Sequence, residues 1–220
     1  MSASTQSPRE PLSIKLIHET TLELIERAGL EALSMRSLAK ALSVNPMAVY
    51  HHIPNKATLL RGVYEAVLAE LWVEAETQTD WQENLKKLLR RFRMLATRHP
   101  RVFPGLIASS HTNQAIQRAV DSIFGLLLDA GLNPKTTVQA SDTLLAFITG
   151  FILLELNNAS KPVPEMTAEL AAFEATLANT KRLLEDLQSN QFADSFEFGL
   201  RLLIAGIEAN LPPRASASKP

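Results

Sequence analysis

The chain has no cysteine among its 220 residues. This absence excludes disulfide bonds, thiolate catalysis and cysteine-ligated zinc, and it fits a reducing compartment. No segment reaches the ~18 uninterrupted apolar residues of a membrane span, and residues 1–12 lack the apolar stretch of a signal peptide. We therefore expect a cytoplasmic protein that does not enter a membrane.

Neither sign of charge is in excess, since 22 Lys and Arg residues stand against 23 Asp and Glu residues, for a net charge of −1. A contact with nucleic acid would therefore have to come from a local patch rather than from bulk positive charge. Glycine and tyrosine are scarce, with eight and two residues, and no alternating strand pattern is found. Long runs of Leu, Ala, Glu and Arg at helical spacing predict an all-α fold.

Short helices are predicted near the start of the chain. The first covers residues 13–28 and ends at Gly29, a residue suited to a C-terminal cap. Ser34 can cap a second, very short helix. Asn45, followed by a proline, opens a third helix that Pro54 ends. The closely spaced caps and breaks indicate several short helices in succession.

Longer helices follow. Asn55 and Asp80 can cap the first two of them, and breaks at residues 99–100 and 104–105 enclose a short piece. The predicted long helices cover residues 56–77, 80–98, 112–130, 134–156, 167–187 and 195–211. The remaining predicted segments are a loop over residues 157–165 and a disordered tail over residues 212–220.

The third helix has two different faces. At about 100° per residue, Val49 and Ile53 point one way, while Met47, Ala48 and His51 point the other way. A helix this short is not stable alone, so the valine side must pack on its neighbours and the other side must face outward. A short helix, a tight turn and a second short helix on a supporting helix form a helix-turn-helix, whose second helix enters the DNA major groove.

The outward residues of this predicted recognition helix suit DNA contacts. Met47 and Ala48 can contact a thymine methyl group, and His51 can hydrogen-bond a base edge. Tyr50 and His52 lie at the flanks, in position for phosphates. Two cations complete the predicted surface, one near the start of the second helix and one at the start of the fourth: Arg36 and Lys56.

Each of these residues also has a simpler interpretation. Tyr50 could be a packing residue, and Arg36 and Lys56 could be ordinary solvated charges. The adjacent His51 and His52 could hold a metal, but neighbouring side chains diverge by about 100° on a helix, and no cysteine or suitably spaced histidine completes a ligand set. We therefore predict no metal site and no cofactor.

Three stretches carry a family resemblance: LAKALSV over residues 38–44, VYHHIPNK over residues 49–56, and the leucines at 59 and 60. They resemble the N-terminal domain of the TetR (tetracycline repressor) family of bacterial transcriptional regulators, over residues 13–71. The tyrosine, histidine, aliphatic and lysine spacing in the second stretch is the most specific part. Ser43 departs from the family pattern, which commonly has glycine in this turn, so we expect strain or a slightly different turn.

Part of the remaining chain resembles the tetracycline-repressor branch of the family: Trp81 and Gln82 with Phe92, and FEFGLRLLIAGIEANL over residues 196–211. The resemblance implies a homodimer in which the helix around residues 144–156 and the last helix pair with their symmetry mates. The alternative is that their apolar faces are intramolecular core. The predicted interface residues are Leu144, Ile148, Ile152, Gly199, Leu203, Gly206 and Ile207.

The resemblance also implies a small-molecule pocket. Tetracycline-binding members use histidines to hold drug and magnesium, whereas the best-aligned positions here are Leu106 and Trp72. The pocket should therefore take an apolar or aromatic effector rather than a tetracycline–magnesium complex, although each lining residue could simply be core. The predicted pocket residues are Trp72, Phe92, His99, Phe103, Leu106, His111, Phe124, Phe151 and Glu155.

These observations predict three segments: a helix-turn-helix DNA-binding domain over residues 1–57, with a flexible leader over residues 1–12; an effector-binding and dimerisation domain over residues 58–211; and the tail. The predicted function is a ligand-responsive regulator that binds a palindromic operator as a homodimer. Repression is the commoner role in the family, with activation the alternative. Since no hydrolase, metalloprotease, P-loop or dinucleotide motif is found, no catalytic residue is predicted. The alternative function is a helical protein-interaction or small-molecule-binding module without DNA binding.

Overall fold

The computed structural model describes residues 11–72, 80–109, 113–159, 179, 182–189 and 191–212. Within these residues the regular structure is helical and contains no strand, so the predicted all-α fold is confirmed. The helices are α1 Ile14–Ala28, α2 Met35–Ala41, α3 Pro46–His52, α4 Lys56–Ala69, α5 Trp81–Arg98, α6 Phe103–Ala108, α7 Gln114–Asp129, α8 Pro134–Ala159, α9 Leu184–Ser189 and α10 Phe192–Glu208.

The helices group into two compact units. Unit 1 comprises Met1–Glu74 with Arg98–Gln117, and unit 2 comprises Ala75–Thr97 with Arg118–Pro220. In unit 1, α1 packs against α4 and α2 packs against α3. The compact unit therefore extends past residue 57, where the sequence suggested a division, because α4 and α6 belong to it as well.

The core of unit 1 is built on α1 and the short helices. Glu26 of α1 also anchors the start of α6, because its two carboxylate oxygens accept the backbone amides of Arg101 and Val102 at 3.3 and 3.2 Å. The Val102 amide also donates to His99 O at 3.2 Å, so Glu26 adds a second acceptor at the start of α6. The fully buried apolar residues of this unit include Ile17, Ile25, Leu38, Val49, Leu59, Val63, Leu68, Phe103 and Leu106.

Side-chain caps fix where the first helices begin. The Leu16 amide donates to Ser13 Oγ at 3.1 Å, and the Thr58 amide donates to Asn55 Oδ1 at 2.8 Å. Ser34 forms a capping box with Ser37. Each hydroxyl or amide oxygen accepts a donor that the helix itself leaves unpaired. The caps predicted at Ser34 and Asn55 are therefore present.

The turn between α2 and α3 keeps the left-handed geometry usual for glycine although it contains a serine. Ser43 has φ +55°, the only positive φ at a non-glycine residue in the described chain. The amides of Ser43 and Val44 donate to Lys40 O at 3.1 Å and Ala39 O at 3.0 Å. The turn is thus closed by backbone bonds, and the strain predicted at Ser43 is present.

Unit 2 is held by long helices and by ion pairs between them. Arg90 of α5 binds the Glu197 carboxylate of α10 through two bonds of 2.8 and 2.7 Å. This pairing raises the pKa of Arg90 and lowers the pKa of Glu197, because the hydrogen bonds and the opposite charge stabilise the charged form of each side chain. The buried apolar residues of this unit include Leu85, Leu89, Ile123, Leu127, Leu144, Ile148, Ile152, Phe196, Leu200 and Ile204.

Several predicted helix boundaries are wrong. The break expected at residues 104–105 lies inside α6, because proline in a first helical turn loses no hydrogen bond. Helix α8 continues to Ala159, into the predicted loop. Helix α10 begins at Phe192, three residues before the predicted start, and ends at Glu208 instead of residue 211.

Two other predicted helices extend onto residues that the structure leaves undescribed. Helix α4 ends at Ala69, and a 3₁₀ turn covers Glu70–Trp72. The rest of the predicted span to residue 77 lies outside the described residues. Most of the predicted helix over residues 167–187 lies outside them too, and α9 covers its end.

Helix α8 is long and apolar enough, by length and composition, to cross a membrane. It is the one such helix in the described part of the chain. One side of it is buried in the core of unit 2 through Leu144, Ile148 and Ile152. The core helix of a water-soluble domain passes the same length and composition test.

Candidate functional site

Helix α3 is anchored by one side and open on the other. Val49 and Ile53 are buried in unit 1, whereas Met47 is 60% exposed and Tyr50 is 43% exposed. His51 and His52 are exposed, and Ala48 is partly exposed. The structure therefore brings the predicted outward residues together on one accessible surface of unit 1.

The ends of α3 are fixed by backbone and side-chain bonds. Asn45 Oδ1 accepts the Met47 amide at 2.9 Å, and Pro46 follows at the first helical position. At the other end, the Ile53 amide donates to Val49 O at 2.9 Å. Because both ends are bonded and the inner side is packed, α3 is a rigid support for its exposed side chains.

Of the two predicted cations, Arg36 lies as expected and Lys56 does not. Arg36 is exposed on the first turn of α2. The Lys56 ammonium instead donates to Leu33 O at 2.7 Å and reaches Leu30 O at 3.5 Å. Lys56 is therefore not simply an outward phosphate ligand, because the 3₁₀ turn after α1 presents two carbonyls to it. Sequence reasoning missed this contact, for which no local pattern gives a signal.

The predicted effector-pocket residues fall in both units. In unit 1, Trp72 is exposed, Phe103 and Leu106 are buried, and the buried His99 has Nε2 at 3.3 Å from Glu70 Oε1. In unit 2, Phe92 and Phe124 are partly buried. His111 lies outside the described residues, so these positions stay a prediction as a pocket.

Glu155 and Phe151 have firm partners within unit 2. Arg93 donates to both Glu155 carboxylate oxygens at 2.7 and 2.5 Å. Phe151 packs on Phe196, with ring centroids 5.4 Å apart, and Arg93 lies over the Phe196 ring at 5.0 Å. Glu155 is therefore an ion-pair partner rather than the freely available polar contact that the sequence suggested.

The predicted dimer residues lie mostly on the inner faces of their helices. Leu144, Ile148, Ile152 and Ile207 are buried within unit 2, Gly199 and Leu203 are partly exposed, and Gly206 is exposed. The four buried residues are already covered within their own subunit, so they leave little surface for a partner, and the interface stays a prediction. The large exposed apolar side chains of α8 and α10 are Val138, Leu153, Leu154, Phe192, Phe198 and Leu202.

Metal ligation finds no support in the described residues. No group of three or more His, Cys, Asp or Glu side chains lies close enough there to hold an ion. Leu106, which the family resemblance aligns with a histidine ligand, is fully buried.

Comparison with known proteins decides the family. Residues 17–63 match the model of bacterial regulatory proteins of the tetR family, and residues 74–211 match the tetracyclin repressor-like C-terminal domain. The chain belongs to the tetR family. It is a transcriptional regulator with a helix-turn-helix DNA-binding region, as the sequence predicted. Members of the tetR family are regulators rather than enzymes.

Three similar proteins support this assignment along most of the chain. The tetracycline repressor protein class G of Vibrio anguillarum is 28% identical over 190 residues, which cover 85% of this chain and 89% of that protein. A possible TetR family regulator from Streptomyces coelicolor A3(2) is 30% identical, with a TM-score of 0.75 and coverage of 90% and 99%. The Streptomyces coelicolor TetR family protein ActR, solved in complex with actinorhodin, is 26% identical, with a TM-score of 0.76 and coverage of 91% and 98%.

Proposed function

We propose that this regulator is a homodimeric repressor whose two α3 helices bind successive major grooves of a palindromic operator. The observation that carries the proposal is the two-sided geometry of α3. Its inner side is locked into unit 1 by Val49 and Ile53, while Met47, Tyr50 and His51 face outward. In such dimers the two recognition helices stand about one DNA turn apart, ~34–36 Å.

Each exposed side chain of α3 has a chemical role in this proposal. Met47 and Ala48 contact thymine methyl groups, and His51 hydrogen-bonds a base edge. Tyr50 and His52 contact phosphates on either side. These contacts require no metal, cofactor or catalytic group.

The two cations act differently from each other. Arg36 reaches a phosphate or a base edge from the first turn of α2. Lys56 uses its bonds to Leu33 and Leu30 to hold the neighbouring turn. Its charge at the start of α4 also makes that end of the helix attractive to a phosphate.

We propose that the dimer forms through the outward faces of α8 and α10. Leu154, Phe198 and Leu202 are 60%, 55% and 58% exposed, which is a large apolar surface for a water-soluble protein. Gly150 and Gly206 lie on the same helices and leave room for close approach of a partner helix. This pairing covers the apolar outer face of α8, so we place the protein in the cytoplasm and away from membranes.

We propose that a small apolar or aromatic effector releases the operator. ActR was solved in complex with actinorhodin. The family resemblance puts Leu106 where magnesium-held tetracycline would need a histidine. Residues 1–57 would carry DNA recognition, and residues 58–211 would carry effector binding and dimerisation. Coupling between such sites typically amounts to ~1–3 kcal/mol.

Selection of bound DNA from a random pool tests operator recognition. The native protein should enrich a palindrome. The double substitution Tyr50→Ala and His51→Ala should weaken binding to it by at least about 100-fold, since the base contact of His51 contributes ~1–3 kcal/mol and a hydrogen bond from Tyr50 to a charged phosphate ~1.5–3 kcal/mol. Lys135→Ala, on the exposed start of α8, is the control and should bind as the native protein does. A folded double variant that keeps native affinity would mean that α3 does not read the operator. If the native protein enriches no sequence, the chain is a helical module without DNA binding.

A further inference from the structure

A cleft in unit 1 has no role in the function described so far. It runs along one side of α4 and is bounded by the end of α6, with a volume of about 580 Å³. Leu30, Leu60 and Ala108 form its apolar wall. None of the residues assigned above to DNA binding or to the effector pocket lines it.

A buried amide on the wall of this cleft has an unused donor. Asn113 is 2% exposed, and its Oδ1 accepts the amides of Ala115 at 2.9 Å and Ile116 at 3.4 Å, which caps α7. Its Nδ2 is buried and has no hydrogen-bond partner among the described residues. A buried N–H group without an acceptor is costly and uncommon, so the position calls for an acceptor from outside the chain.

A second polar group lines the same cleft. The Tyr64 ring is buried, and a Cβ added at Gly105 would lie 2.5 Å from the Tyr64 hydroxyl oxygen. Glycine at position 105 therefore leaves the hydroxyl room on the cleft wall. Burial raises the pKa of Tyr64, so the hydroxyl stays protonated and able to donate at neutral pH.

The charge at the cleft is positive. Arg61 lines the cleft, is exposed, and forms no ion pair within the part of the chain that the structure describes. A guanidinium offers planar donors that suit a carboxylate. A buried donor without a partner among the described residues, a second neutral donor and one cation beside an apolar wall match a ligand with an anionic head and an apolar body.

We propose that this cleft binds a small monocarboxylic acid. The carboxylate accepts hydrogen bonds from Asn113 Nδ2 and the Tyr64 hydroxyl and faces Arg61, while the apolar body lies against Leu30, Leu60 and Ala108. Leu30 belongs to the turn that Lys56 holds, and Lys56 begins the helix that follows α3. A bound acid would thus restrain the support of the recognition helix, a consequence that rests on the proposed function.

Direct titration with 4-phenylbutyrate tests the site, with 4-phenylbutan-1-ol as the neutral analogue. The native protein should bind the acid at least about tenfold more tightly than the alcohol, the usual scale of a charge-assisted hydrogen bond. Asn113→Asp keeps the oxygen that caps α7 but replaces the donor with an anion, and should weaken acid binding by at least about tenfold. Tyr64→Phe keeps the buried ring, loses the hydroxyl, and should weaken binding about threefold or more.

Asn133→Asp provides the matched control. Asn133 caps α8 in the same way, with Oδ1 accepting the Thr136 amide at 3.0 Å, but it is exposed and lies in unit 2. This variant should bind the acid as the native protein does. Circular dichroism establishes that each variant is folded, and Tyr64→Phe alone decides the matter if Asn113→Asp does not fold.

Three results would overturn the proposal: no binding of the acid by the native protein, equal binding of acid and alcohol, or native affinity in the folded Asn113 and Tyr64 variants. The last result would place the acid elsewhere in the molecule. Because the titration contains no DNA, it is independent of operator recognition. Failure of the proposed function would therefore leave this result intact, and failure of the acid site would leave operator binding intact.

Discussion

At the scale of single residues, Lys56 shows how one side chain can serve both packing and charge. Its ammonium bonds to two carbonyls of the turn after α1, while its position at the start of α4 keeps a positive charge beside α3. Hydrogen bonds from a charged group to partly buried carbonyls contribute more than exposed charge pairs do. We therefore expect Lys56 to contribute more to the stability of the fold than to the affinity for DNA.

Lys56→Met tests that expectation. The methionine keeps the apolar stem but removes the ammonium, so the free energy of unfolding should fall by about 1–3 kcal/mol. Lys40→Met, at an exposed lysine of α2, is the control and should change it by less than about 0.5 kcal/mol. Urea unfolding followed by circular dichroism measures both. Equal effects of the two substitutions would show that the carbonyl contacts add no stability.

Ser43 gives a second residue-scale prediction, of opposite sign. Its φ of +55° is unfavourable for a residue with a side chain, so Ser43→Gly should raise the free energy of unfolding by about 0.5–1 kcal/mol. Ser122→Gly in α7 should lower it by about 0.5 kcal/mol, because that backbone is helical. Thermal and urea unfolding measure both changes. A loss of stability in Ser43→Gly would mean that the serine side chain stabilises the turn.

At the scale of helices, the packing of α1 on α4 depends on one small residue. A Cβ added at Gly62 would lie far inside contact distance of His18 Nε2. Gly125 in α7 has no heavy atom within 4 Å of the same added carbon. The two glycines therefore separate a packing requirement from simple helix propensity.

A double-mutant cycle measures that requirement. Gly62→Ala should be less stabilising than Gly125→Ala by about 1 kcal/mol, since the His18 ring must move to make room for the new methyl group. In a His18→Ala background the same change should stabilise by up to about 1 kcal/mol, as should Gly125→Ala in the native chain. Unfolding free energies of the four proteins in the cycle provide the coupling. No coupling between the two positions would contradict close packing of α1 on α4.

Helix starts were predictable where the signal is local. Asn45 and Asn55 each stand next to the amides that they cap, so sequence spacing alone identifies them. The end of α8 was not predictable, because the helix continues through Asn157 and Asn158, whose polar side chains suggested a loop. The side-chain Nδ2 of Asn158 instead donates to Leu154 O at 2.9 Å, within the helix itself.

The same limit explains why the surroundings of some candidate site residues differ from what the sequence suggested. Periodicity showed that α8 and α10 are apolar. Leu144 and Leu154 both fit an apolar stripe on α8, and only the packing of unit 2 decides which of them is buried. The outward side of α3 was predictable because the helix is short and has a single apolar face, formed by Val49 and Ile53. Only that face can pack against the rest of the unit. The contacts of Lys56 and Glu155 join residues far apart in sequence, which a helical pattern does not specify.

At the scale of the whole molecule, the proposal requires two copies of the chain. Leu202→Glu places a charge in the centre of the outward stripe of α10 and should shift the protein from dimer to monomer in sedimentation experiments. We expect the dissociation constant to rise at least about 100-fold, because burying an unpaired carboxylate is costly. Met94→Glu, at another exposed apolar residue of unit 2, is the control and should remain dimeric. A dimeric, fully helical Leu202→Glu protein would show that another surface forms the dimer.

The central claim is that the outer side of α3 faces DNA, and site-directed cleavage tests it most directly. Because the chain has no cysteine, Met47→Cys provides a single attachment point for an iron chelate. On the selected operator, the conjugate should cleave at two symmetric positions about one helical turn apart. A Met94→Cys conjugate that binds the same operator should leave those positions intact. If the Met47→Cys conjugate binds and cleaves no differently from the Met94→Cys conjugate, α3 is not the element that reads the operator.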